Sequence, residues 1–221
     1  MWIDDQIIEN CHKTLHLECF FPKENLVVCG RSQKPEQEVY LDRCKSDKVP
    51  VVKRFGGGGT VLLGQGTLVV SLGTWVKDYY ENPFYFDGIN QQIIKTLESQ
   101  YPDTSGKLSQ NGISDIVWGQ KKVAGTSLYR SRNYLLFQGS ILIDANIEEI
   151  SKYLKHPSKE PEYRGERHHK DFLMNLKGTE DQDFDVNEFS KTLTQNLKSN
   201  FKDKFTEPSP KQVKYLKGKV V

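Results

Sequence analysis

Residues 54–66 read Arg54-Phe55-Gly56-Gly57-Gly58-Gly59-Thr60-Val61-Leu62-Leu63-Gly64-Gln65-Gly66. Inside regular structure each glycine costs about 0.5–1 kcal/mol relative to alanine. Four in succession therefore predict a loop. Upstream, Leu26-Val27-Val28-Cys29-Gly30 and Val49-Pro50-Val51-Val52 read as short buried strands, and downstream Thr67 to Leu72 is a strand rich in β-branched residues. Two phosphate-binding motifs are excluded at once. No Gly-Lys-Ser/Thr follows, as a P-loop requires, and a strand rather than a helix comes next, unlike the dinucleotide fingerprint. A glycine loop between strands still lets backbone approach a ligand and turns successive N–H groups into an anion-binding concavity. Arg54 supplies a guanidinium that can fork onto carboxylate or phosphate. A plain hairpin tip would use the same glycines, and the run alone does not separate the two.

Working outward, Asp4 to Leu17 carries Ile7, Ile8, Cys11 and Leu15 at helical spacing. Glu36 to Lys45 and Asp87 to Tyr101 also read as helices. Asp115 to Trp118 and Lys122 to Ala124 read as a hairpin about Gly119-Gln120, followed by a strand within Asn133 to Asp144. Asn146 to Leu154 is a short helix that Asp144 or Asn146 can cap. Lys155 to Lys170 is polar, with two prolines and many charges, and predicts a long, mobile loop. Asp185 to Phe205 predicts a last amphipathic helix, and the lysine-rich end a strand or a tail. Strands come in runs, which favours an α+β fold with a central mixed or antiparallel sheet and flanking helices.

The chain has 221 residues, 36% hydrophobic and 11% aromatic, enough for a core and too apolar for overall disorder. Its net charge of +2 argues against a dedicated nucleic-acid binder. No apolar run approaches the ~20 residues that cross a bilayer, and two acids stand at positions 4 and 5 where a leader needs positive charge. The expectation is a cytoplasmic protein with no membrane partner. Cys11, Cys19, Cys29 and Cys44 fit no zinc or redox spacing and read as plain thiols.

A second constellation is Ser114-Asp115-Ile116-Val117 with Lys122-Val123-Ala124-Gly125-Thr126-Ser127. On a strand Lys121 and Lys122 point to opposite faces, and an inward lysine needs an anion. A surface lysine on an edge strand is the alternative at this point.

These motifs, in this order, resemble the catalytic domain of lipoate–protein ligases, within the biotin/lipoate ligase and octanoyl-transferase superfamily. Leu26 to Pro35 is similar to that family's strand ending in Gly-Arg-x-Gln-x-Pro, and Val51 to Val61 to its Arg-Arg-Ser-Gly-Gly-Gly-Ala-Val loop. Asp115 matches the Asp of its Asn-Asp pair, and Lys122 the lysine of its Gly-x-Lys-Ile-x-Gly-x-Ala segment. Phe137 to Leu142 resembles its His-His-Gly-Thr-Leu-Leu strand, and Tyr163 to Leu176 sits where the family has an adenylate-covering loop. The resemblance covers residues 25–177. It implies a class II synthetase-like fold and one catalytic domain over residues 1–221, too short for a full C-terminal accessory domain.

The resemblance also implies chemistry: ATP activates lipoate or octanoate to acyl-AMP, and the acyl group passes to a lysine of a lipoyl carrier domain. Carriers of this type are the E2 subunit of 2-oxoacid dehydrogenases and the glycine-cleavage H protein. Lys122 is then the catalytic residue. Arg54, Gly59, Thr60, Val61, Leu62, Asp115 and Lys122 bind ATP or the adenylate, with Asp115 steadying the nucleotide or its Mg²⁺. Gly57, Gly58, Gly125, Thr126, Gln138 and Gly139 form the acyl pocket. A separate accessory subunit is a plausible partner.

The chain departs from the pattern in four places. Leu63-Gly64 stands for a His-Asp, Gly66-Thr67 for Gly-Asn, Ser114 for Asn, and Gln138 for His. These leave open a non-catalytic lipoyl- or adenylate-binding module. An ATP-independent transferase of the same fold needs a thioester cysteine near Leu135, and no cysteine follows Cys44. A biotin ligase would carry a Gly-Arg-Gly-Arg run, which is absent. His168-His169 with Arg164, Arg167 and Lys170 reads as a basic loop near an anionic ligand or an acidic carrier, not as a metal site.

Overall fold

In the computed structural model, which describes residues 3–78, 81–177 and 184–220, a six-stranded antiparallel sheet carries helices on its faces and a small three-stranded sheet at one side. The elements run α1 (Ile3–Glu9), β1 (Leu15–Phe20), β2 (Leu26–Cys29), α2 (Pro35–Glu38), α3 (Leu41–Ser46), β3 (Val51–Lys53), β4 (Val61–Leu63) and β5 (Thr67–Trp75). They continue with α4 (Asn82–Gln100), β6 (Leu108–Asn111), β7 (Asp115–Trp118), β8 (Lys121–Ser131), β9 (Tyr134–Leu142), α5 (Ile147–Tyr153), α6 (His169–Phe172), α7 (Val186–Asn200) and α8 (Pro210–Val220). The large sheet has the order β1-β5-β9-β8-β7-β6, and the small one β3-β2-β4 with β2 and β3 parallel. The α+β reading and the mixed strand directions hold.

β5 is buried along its whole length, which is why it reads as β-branched and apolar without alternation. With β9 it forms the centre of the sheet, and α4 and α7 cover one face through Ile89, Ile93, Leu97, Phe189 and Leu193. Asn146 caps α5 and Asp185 caps α7, each side chain accepting from two backbone amides of the first turn.

Several expectations need correction. The first helix ends at Glu9, and Leu15–Phe20 is a strand on β5. Leu15, Leu17 and Cys19 alternate onto the core, so a period of two overrides the helical spacing beyond residue 9. The helix expected over 36–45 is broken at Val39, which is extended (φ −128°, ψ 143°) and bridged to Leu154. β6 carries no strand pattern in its sequence, because Leu108-Ser109-Gln110-Asn111 has one apolar residue. The C-terminal end is a helix rather than a strand or tail: Val213 and Leu216, one turn apart, pack into a cluster with Ile3, Ile7 and Cys11. The stretch 155–170 is partly ordered by a turn at Glu162–Arg164 and the start of α6. Among the described residues no helix is long and apolar enough to cross a membrane.

Candidate active site

The loop between β3 and β4 is built from behind. The Arg54 guanidinium, 8% exposed, donates to Gly57 O (2.6 Å from Nη2), Gly59 O (2.8 Å) and Val28 O (3.3 Å). Arg31 N donates to Gly56 O at 2.9 Å. On the far side the Asp4 carboxylate of α1, itself buried, accepts from Phe55 N at 2.8 Å and from Gln138 Nε2 at 2.5 Å. Gly58 takes φ +89°, a left-handed conformation that favours glycine. The expected outward fork of Arg54 is thus corrected: its bonds go to the loop's carbonyls, and burial brings its pKa down to about 10.

In front of the loop lies a cavity of about 520 Å³. Every site residue named from sequence lines it except Gly57, whose carbonyl turns to Arg54. β4 gives Val61, Leu62 and Leu63. β8 gives Lys122 and Ala124–Ser127, and β9 gives Gln138, Gly139 and Ser140. Val28, Leu142, Ile150 and Phe172 add apolar side chains to the lining.

Lys122 and Asp115 are neighbours across the β7–β8 hairpin, where the register slips between Ile116 and Val117. Lys122 Nζ lies 2.8 Å from Asp115 Oδ1. Asp115 is 5% exposed, while the lysine side chain keeps 24% exposure toward the cavity. A Cβ on Gly125 would stand 2.8 Å from Lys122 Nζ, so the lysine lies across a position that only glycine leaves clear. The other Asp115 oxygen accepts from Tyr163 OH at 2.7 Å. Burial and Asp115 push the Tyr163 phenol up, so it stays protonated as a donor.

Tyr163 belongs to the stretch that closes over the cavity. Arg164 (6% exposed) pairs with Glu160 at 3.2 Å, and Arg167 donates to Gln120 O of the β7–β8 turn at 2.9 Å. Both guanidiniums stack on Phe172, at 4.7 and 5.1 Å from its ring. His169 also lines the cavity, and burial with the cations around it lowers its pKa to about 4. Glu38, 2% exposed, lines the same cavity and accepts from Ser158 Oγ. Sequence reading missed Glu38 because it sits in a charged, surface-like run.

Asp115 is a poor resident magnesium ligand, because both its oxygens are engaged by Lys122 and Tyr163. Among the described residues no group of three or more His, Cys, Asp or Glu side chains gathers to hold a metal. The thiols are equally unsuited to acyl transfer. Cys11, Cys29 and Cys44 are buried, and burial raises the pKa of all four, that of Cys19 to about 12. Native protein at pH 7.5 is therefore expected to resist iodoacetamide, with all four thiols labelled only after denaturation. One rapidly labelled cysteine, found by mass spectrometry, would restore the thioester reading.

The model of the lipoyl protein ligase A/B catalytic domain matches residues 1–198. A Plasmodium falciparum protein named "Inactive lipoate--protein ligase 2" is 27% identical over 194 residues, covering 72% of this chain and 50% of its own. The chain spans half or less of the length of the curated relatives it first matches. Among solved structures, a bi-partite lipoate protein ligase from Thermoplasma acidophilum, described with its E2 lipoyl domain, superposes with a TM-score of 0.72 at 19% identity, covering 96% of this chain and 82% of that one. A lipoate-protein ligase A bound with ATP gives 0.68 at 21% identity, covering 96% and 84%.

Proposed function

The chain belongs to the lipoyl protein ligase A/B catalytic domain family, and from that membership we propose that it activates lipoate, or octanoate, with ATP and transfers the acyl group to a lysine of a lipoyl carrier domain. The observation that carries this reading is Lys122, held by Asp115 at 2.8 Å with its side chain 24% exposed, in a cavity lined by both apolar and cationic side chains.

In the first step a carboxylate oxygen of the acid attacks the α-phosphorus of ATP. The bond from that phosphorus to the bridging oxygen breaks, and pyrophosphate leaves with the electron pair. In the second step the carrier lysine's free amine attacks the acyl carbonyl, the carbon–oxygen bond to phosphate breaks, AMP leaves and the nitrogen loses a proton. Both steps pass through centres carrying extra negative charge. A fixed ammonium in a water-poor pocket stabilises that charge without reorganising. In this reading Lys122 bridges the acyl carbonyl and the α-phosphate. The backbone of Gly59, Thr60, Val61 and Leu62 contacts the nucleotide, and the apolar walls take the acyl chain. Arg54 acts through the loop it shapes. Magnesium belongs to the incoming nucleotide rather than to the protein.

A second reading, a non-catalytic adenylate- or lipoyl-binding module, is favoured by the name of the Plasmodium relative and by Leu63-Gly64 standing for the family's His-Asp. Incubation with ATP, Mg²⁺ and lipoate or octanoate, followed by mass spectrometry, separates the two. Acyl-AMP with released pyrophosphate, and acylation of an added E2 lipoyl domain or H protein, is the expected result. Bound nucleotide without acyl-AMP selects the module. Activity that appears only with cell extract places a required accessory subunit in that extract, as the bi-partite neighbour suggests.

A further inference from the structure

Asp4 is a buried acid that the proposed mechanism does not use. Acids in the first turn of a helix usually stay in solvent, where the helix dipole already favours them. Asp5, the next residue, is only part-buried, but Asp4 is 2% exposed. A carboxylate taken out of water is costly unless its oxygens are well bonded, so the partners of Asp4 show what it serves. Two of them belong to the walls of the site. Phe55 N, at the entry of the glycine loop, donates at 2.8 Å, and Gln138 Nε2 of β9 donates at 2.5 Å.

The position of the carboxylate is set by packing. Ile3 and Ile7 of α1 pack with Trp75, Tyr134 and Leu216. α1 lies so close to β5 that a Cβ on Gly73 would stand 2.7 Å from Ile7 Cγ2. The Phe55 ring joins the same cluster, 5.4 Å from that of Tyr129. On the other side of the loop Arg54 holds the carbonyls of Gly57 and Gly59. Burial lowers the pKa of Arg54, and the charge of Asp4 opposes that shift. The loop therefore lies between a buried cation that grips its carbonyls and a buried anion that grips its first amide. A carboxylate only accepts, so Gln138 must turn its NH₂ to Asp4. One side chain thus fixes both the loop and the orientation of an amide that lines the cavity. Lys122 is held separately, by Asp115 and behind it Tyr163.

We infer that Asp4 is a positioning residue of the reaction: from behind the cavity wall it sets the glycine loop through Phe55 N and the amide of Gln138, and so shapes the pocket for the acyl acid. This rests on the adenylate-forming reading above and adds α1 to the machinery of that site.

Asp4→Asn, Gln138→Glu and the double variant test it, by calorimetric titration with lipoate or octanoate and by acyl-AMP formation at varied acid. Asparagine keeps the shape and an acceptor for Phe55 N, but sets an NH₂ against that of Gln138. Asp4→Asn is expected to raise Kd and KM for the acid about tenfold, the loss of one hydrogen bond to a charged group. Its kcat should stay within about threefold, because Lys122 keeps its place. Gln138→Glu sets two carboxylates face to face and weakens binding at least as much. In the double variant the new amide donates to the new carboxylate, and binding returns to within about threefold of the natural protein, far from additive. Melting lowered in Asp4→Asn with binding by the folded protein unchanged would mean a structural role alone and overturns the inference, as does an additive loss in the double variant. If Asp4→Asn does not fold, the double variant decides: recovered binding upholds the assignment, and failure to bind overturns it. Natural protein that binds the acid but forms no acyl-AMP overturns the proposed function, and the titrations still decide the role of Asp4. Natural protein that binds neither acid overturns both.

Discussion

Lys122→Ala is expected to lower the rate of acyl-adenylate formation about 10²–10³-fold, the loss typical of one fixed donor to a developing oxyanion. The ammonium is not a loosely placed surface charge. Asp115 holds it at 2.8 Å, Tyr163 holds Asp115 from the other side, and the missing Cβ of Gly125 gives the stem its path. Removing it costs stability as well, because the buried Asp115 carboxylate then loses its only ion-pair partner among the described residues and keeps only the hydroxyls of Tyr163 and Ser114. Breaking a fully buried pair costs about 3–5 kcal/mol; Lys122 is part-exposed, so the loss should fall below that range. The two effects separate by measurement: thermal melting reports the pair, and adenylate formation at saturating ATP and lipoate reports the chemistry. Asp115→Asn keeps the lysine and its charge. If the aspartate only positions Lys122, the double variant loses no more activity than Lys122→Ala alone. A Lys122→Ala protein that forms acyl-AMP at the natural rate would remove Lys122 from the mechanism.

Local signals carried most of the fold. The buried strand β5, the hairpin about Gly119 (φ +59°), the caps at Asn146 and Asp185, and the loop before β4 each depend on residues close in sequence. What stayed hidden depends on partners far apart in the chain. Asp4 reads as an ordinary acid in the first turn of a helix, yet it is buried under the glycine loop, bonded to Phe55 N and to Gln138 134 positions away. Gln138 stands where the related pattern has a histidine, and the structure gives it work of its own, tying α1 to β9. Arg54 was visible as a cation next to glycines, but not as the donor that those glycines' carbonyls require. Tyr163 and Arg164 could be placed over the site only by resemblance. Nothing in a polar, proline-containing stretch announces a phenol that reaches Asp115 or a guanidinium stacked on Phe172.

Gly30→Ala is expected to disable the site while a neighbouring glycine tolerates the same change. A Cβ on Gly30 would lie 2.1 Å from Gly58 O, 2.9 Å from Gly58 C and 3.2 Å from Gly59 O. All three are backbone atoms, so no side chain can swing aside; the loop itself must move. It cannot move freely, because Arg54 grips its carbonyls and Asp4 grips Phe55 N. The clash therefore either breaks those bonds or pushes Gly58 and Gly59 into the cavity they line. Overpacking of this kind costs about 1–3 kcal/mol of stability, and a displacement of about 1 Å at a reacting centre can cost 10²-fold in rate. Gly57→Ala meets nothing within 4 Å and should melt and react like the natural protein. The pair of variants is the decisive comparison, since both add one methyl group within the same structural unit. Adenylate formation falling about a hundredfold in Gly30→Ala and holding in Gly57→Ala would show that the loop's position against β2, rather than its flexibility, makes the site. Equal rates in the two would mean that the close approach of Gly30 to Gly58 plays no part in catalysis.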